Sequence, residues 1–128
     1  MPGMEMLVKA GGVYTFALVV FHLCFWRLFR WKTDLRRLSE LNRAVMQVLN
    51  VSLTLVFVIF SSISLVHTEE LLTTSLGRSL LVLMAFFWLA RSVQQAVFFG
   101  VREWRSVAFL LYFLAGTVLY AIPAVAGG

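Results

Sequence analysis

Four long apolar runs divide this chain of 128 residues: Gly11 to Phe29, Val45 to Val66, Ser79 to Phe99 and Val107 to Pro123. Each is close to the ~20 residues that an α-helix needs to cross the hydrocarbon core of a bilayer. The segments between them are short, and 61% of the residues are hydrophobic while 13% are charged, against about 25% charged in an ordinary soluble domain. The expected fold is therefore an all-α membrane protein, a four-transmembrane-helix bundle with short loops. It forms one domain over residues 1–128, with residues 30–44 as a basic loop. No soluble domain is left to hold an active site, so a non-enzymatic role is expected. No small-residue cleavage pattern follows the first run, which ends in FWRLFRWK, so that run is expected to stay as a helix.

The side-chain inventory narrows the chemistry. A single cysteine, Cys24, leaves no internal disulfide and no multi-cysteine metal or redox site. His22 and His67 lie near opposite ends of the spans, ~20 Å apart along the bundle by helix rise, so one haem cannot take both. No cofactor is expected.

Charge gives the orientation. The loop after the first run carries Arg27, Arg30, Lys32, Arg36, Arg37 and Arg43 against Asp34 and Glu40, and the third loop adds Arg102 and Arg105 against Glu103. The second loop offers Glu69 and Glu70 with Arg78, and the N-terminal segment offers Lys9. The positive-inside rule then sets the first and third loops in the cytoplasm and both termini on the outer side. Short loops throughout favour a bacterial inner membrane, with the N-terminus and C-terminus periplasmic. Within the basic loop, Leu35, Leu38 and Leu41 recur every three residues, and Ser39 is placed to cap a helix beginning near Glu40. Thr33 to Leu38 reads as a short turn on the membrane surface. There Arg27, Arg30, Lys32, Arg36 and Arg37 are candidate lipid-headgroup contacts, each favouring anionic lipid by about 1 kcal/mol.

Polar residues inside the spans are the most informative, because hydrocarbon cannot hydrogen-bond to them. On the second span Gln47, Asn50, Thr54, Ser61 and Ser64, with Arg43 and Thr68, fall within roughly 60° of one line at helical spacing. Phe57 and Val58 interrupt that line near its middle. Such a stripe reads either as a packing seam between helices or as a polar path with an apolar constriction.

The third span places Arg91 on one face with Gln94 and Gln95. A charge at that depth costs at least ~2.5 kcal/mol, so it either snorkels to the interface or meets something. His22, Gln47, Asn50, Arg91, Gln94 and Gln95 share a depth in the cytoplasmic half by helix rise. No Asp or Glu lies inside any run, which favours an anion or a lipid head group as the partner of Arg91. Two functional expectations follow. The first is an oligomeric or accessory subunit whose buried polar seam mediates helix packing and assembly. The alternative is a small channel, transporter or lipid-binding protein with an anion-favouring site around Arg91. Expected partners are membrane lipids and a homo-oligomer or larger membrane partner, with no nucleic acid.

Overall fold

The structure is a computed structural model that describes residues 2–126. Helix makes up 91% of it, and none of the described residues is in a strand. In chain order the helices are α1 (Pro2–Leu23), α2 (Phe25–Leu28), α3 (Trp31–Asp34), a 3₁₀ turn (Leu35–Arg37), α4 (Glu40–Val66), α5 (Thr68–Thr73), α6 (Ser75–Phe99) and α7 (Trp104–Ala126). Four of them, α1, α4, α6 and α7, are long and apolar enough to span a membrane.

Local chemistry sets the boundaries. Ser39 caps α4, its Oγ accepting from the Asn42 amide at 3.2 Å, and Thr74 caps α6 in the same way at 2.9 Å from the Gly77 amide. Gly100 ends α6 with φ at +74°, a conformation that favours glycine. The first helix is displaced from the first apolar run. It starts at Pro2 and ends at Leu23, where the Cys24 amide bonds back to Phe21 and the chain bends away from the helix axis. The remaining Phe25 to Phe29 forms a separate short turn, and Arg30, at φ +52°, then redirects the chain into α3.

The long helices alternate in direction, which gathers α5 with the first turns of α1 and the last of α7 at one end, the terminal end, and α2, α3 and the 3₁₀ turn at the other, the basic end. α1 packs against α4 and α7, α7 packs against α6, and α5 lies against α1 and α6. Close approach rests on small residues. A Cβ on Gly12 would sit 2.6 Å from Leu65 Cγ on α4, and one on Gly116 would fall on the hydroxyl of Tyr14. The backbones of α4 and α6 stay further apart and meet through rings: Phe57 stacks on Trp88 at 5.4 Å, and Phe60 meets Phe87 edge-on at 5.4 Å.

Polar groups between the helices find partners inside the bundle. Tyr14 and Tyr112 each donate to the other's backbone carbonyl, at 2.5 and 2.8 Å, with their rings stacked at 4.1 Å. Ser64 and Tyr120 bond at 2.8 Å, with Thr15 at 3.3 Å from the same Tyr120 hydroxyl. Ser61 donates to the Gly12 carbonyl at 2.9 Å. The outward faces are apolar instead: Val48, Leu49, Val51, Leu55 and Ile59 of α4 are all exposed. Such a surface suits hydrocarbon rather than water.

The tightest backbone approach is at Gly77, where a Cβ would fall on the Glu70 carbonyl oxygen and 2.5 Å from Leu71 Cα. Backbone atoms cannot rotate away, so Gly77→Ala is expected to cost about 1–3 kcal/mol, typical of overpacking. Gly3→Ala, with open space around it, is expected to change stability by less than about 0.5 kcal/mol. Thermal unfolding of both variants in detergent micelles checks the difference.

Candidate functional site

Between the long helices at the basic end lies a cavity of about 1040 Å³, at the upper end of the size range of small-ligand pockets. α1 supplies Leu18, Phe21 and His22, and the bent chain beyond it supplies Phe25, Phe29 and Trp31 as a cover. Phe21, Phe25 and Phe29 recur every four residues and pack edge to face, at 5.2 and 4.8 Å between successive rings. The helix is broken at Cys24, and the aromatic row on both sides of the break lines the opening. At the deep end, Phe57, Phe87 and Phe113 close the cavity, each against the fully buried indole of Trp88.

Arg91 turns into this cavity. Its guanidinium lies over the Phe113 ring, 4.4 Å from the centroid, and its Nη1 donates to Gln94 Oε1 at 3.1 Å. Among the described residues it forms no ion pair. Opposite, His22 bonds through Nδ1 to the Leu18 carbonyl at 2.8 Å. A carbonyl only accepts, so Nδ1 carries the proton and, in the neutral ring, Nε2 is left as an acceptor. His22 lines the cavity with its ring stacked on Phe25 at 4.5 Å.

The residues expected to form one layer separate into two groups. His22, Arg91, Gln94 and Gln95 line the cavity. Gln95 is also bound to the α6–α7 corner, where its Nε2 donates to Ser106 Oγ at 3.1 Å and Ser106 donates to the Gly100 carbonyl at 2.6 Å. The α4 stripe faces elsewhere. Gln47 bonds back to the Arg43 carbonyl at 3.2 Å, and Asn50 donates to the His22 carbonyl at 3.3 Å while its Oδ1 is buried without a partner. Thr54 bonds to the Asn50 carbonyl at 2.7 Å, and Ser61 and Ser64 make the contacts to α1 and α7 described above. Phe57, which interrupts the stripe in sequence, is 1% exposed and continues the same inward face as an aromatic contact. Arg43 holds the 3₁₀ turn, donating to the Leu35 and Leu38 carbonyls at 2.9 and 3.2 Å.

The basic loop and the cavity carry different charges. Arg27, Arg30, Lys32, Arg36 and Arg37 are all exposed, outside the cavity wall. The mouth instead holds Asp34, Glu103 and Arg105. These three, and the aromatic cover, were not among the residues singled out from the sequence. The four-residue recurrence of Phe21, Phe25 and Phe29 carried a signal, but the bend that aims it did not. Among the described residues, no group of three or more His, Cys, Asp or Glu side chains is placed to hold a metal ion.

Fold and site together define a helical bundle of four potential membrane spans built around one amphipathic cavity. Comparison with protein-family models, with curated proteins and with solved structures finds no match to this chain.

Thiol labelling separates the two polar groups. In a Cys24→Ser background, needed because Cys24 is exposed, Thr54→Cys, Ser61→Cys and Ser64→Cys are expected to resist a water-soluble thiol reagent. Gln94→Cys is expected to react within minutes. Equal labelling at all four positions would mean that water runs along α4.

Proposed function

We propose that this chain is a non-enzymatic intramembrane binding protein for an amphipathic ligand with an anionic head group. The ligand enters through the gap between α4 and α6 and is held against Arg91. One observation carries the reading: an arginine without a carboxylate partner projects into an aromatic-walled cavity of about 1040 Å³. A cation withdrawn from water is costly unless something offsets it. A phosphate or carboxylate would do so through short, charge-assisted hydrogen bonds, while the rings of Phe57, Phe87 and Phe113 would take the apolar part.

This reading is preferred to assembly through the polar seam because the seam hydroxyls already have partners in their own chain. Association with further copies or a larger membrane partner would use the apolar outer faces. A continuous solute path has less support, since α1 and Tyr120 cover the stripe that would line it. In a bacterial inner membrane the positive-inside rule would set the basic end in the cytoplasm and the termini in the periplasm.

Binding of a fluorescent long-chain phosphate ester to purified protein in detergent tests the proposal. Arg91→Leu is expected to weaken binding by about 10- to 100-fold, the loss of charge-assisted hydrogen bonds worth about 1.5–3 kcal/mol, with the melting temperature retained. Arg91→Lys should recover part of it. Equal affinity of wild type and Arg91→Leu would overturn the reading.

A further inference from the structure

The charges around the cavity are ordered by depth. Arg91 precedes the end of α6 at Phe99 by eight residues, ~12 Å of helix. Asp34 closes α3 at the mouth, and Glu103 and Arg105 flank the start of α7. Glu103 and Arg105 face each other at 3.9 Å, so they largely offset one another. Two lining charges then lack a counter-ion among the described residues: a cation deep in the cavity, Arg91, and an anion at its mouth, Asp34.

We infer that the ligand is a zwitterionic phospholipid, its phosphate on Arg91 and its ammonium against Asp34. The inference rests on the binding role proposed above and adds the ligand class. Two features support it. The sign order matches a lipid whose phosphate is nearer the glycerol and whose ammonium is nearer the water. The mouth is itself aromatic beside Asp34, with Phe25 and Trp31 5.3 Å apart and Phe29 next to them; ring faces attract ammonium groups.

The position of the other cations points the same way. Arg27, Arg30, Lys32, Arg36 and Arg37 lie outside the wall, where they attract anionic lipid to the surface of the protein. A cavity built for a purely anionic head group would not carry an unpaired carboxylate, Asp34, at its entrance. The acyl chains leave through the α4–α6 gap, past Met46, Leu53, Phe87 and Ala90.

The test is competition for the fluorescent phosphate ester by phosphatidylethanolamine, phosphatidylcholine and phosphatidylglycerol of identical chains, on the full-length protein in detergent. Phosphatidylethanolamine or phosphatidylcholine is expected to compete about fivefold better than phosphatidylglycerol, equivalent to about 1 kcal/mol for a partly exposed ion pair. Asp34→Asn should abolish that preference, weakening the zwitterionic lipids without weakening phosphatidylglycerol; Asp34 is exposed, so the fold is retained. Phosphatidylglycerol competing as well as the zwitterionic lipids in the wild type overturns the zwitterion inference while the binding role stands. Failure of every lipid and of the phosphate ester to bind overturns both.

Discussion

Three long helices meet the fourth at one side chain, the indole of Trp88 on α6. Tyr14 of α1 meets it edge-on at 5.2 Å, Phe57 of α4 stacks on it at 5.4 Å, and Phe113 of α7 stacks at 6.0 Å. An indole is large enough to hold those neighbours at ring separation, and it is fully buried in doing so. The spacing of α4 from α6 follows from it. Where the rings fill the space the bundle is closed; one to two turns towards the basic end, with no comparable side chain between the same helices, it opens into the cavity. The Trp88 Nε1 is buried without a partner, a cost of about 1–3 kcal/mol that the aromatic contacts on three sides must exceed.

Polar groups are handled in two ways in this interior. Hydroxyls bond to the carbonyl four residues earlier in their own helix, as in Thr15, Thr54, Ser64, Thr68, Ser92 and Thr117. This satisfies them without water and leaves a lone pair for a neighbouring helix, which Ser64 uses towards Tyr120. Arg91 has no such local solution. Its single internal hydrogen bond, to Gln94, and its place over Phe113 leave most of its donors facing the cavity.

The four long apolar helices were legible from the sequence because apolar length is a strong signal, and Ser39 announced the start of α4 by its position before Glu40. The end of α1 was not. Phe25 to Phe29 is as apolar as the run before it, so composition could not show that the helix stops at Leu23 and that the next rings turn over a cavity. Helical periodicity gives angles directly, and Thr54, Ser61, Ser64 and Thr68 of the α4 stripe and its continuation are all buried. Which neighbour that face meets depends on tertiary packing, and grouping residues by depth alone joined Asn50 and Gln47 to Arg91 although their side chains bond elsewhere. Asp34 and Glu103 stood in loops among many arginines, and nothing local distinguished a carboxylate at a cavity mouth from one in solvent.

The reciprocal bonds between Tyr14 and Tyr112 join residues 98 positions apart. A ribosome delivers α1 first and α7 last, so α1 waits through the synthesis of every other helix before its main hydroxyl partner exists. Each long helix can form before its neighbours exist, because Thr15, Thr54, Ser64, Ser92 and Thr117 are bonded within their own helices. Closure of the bundle, however, is reserved for the final segment to emerge: α7 brings Tyr112 to α1 and Phe113 to both Trp88 and Arg91. The cavity, walled in part by α7, is thus among the last parts of the molecule to be completed.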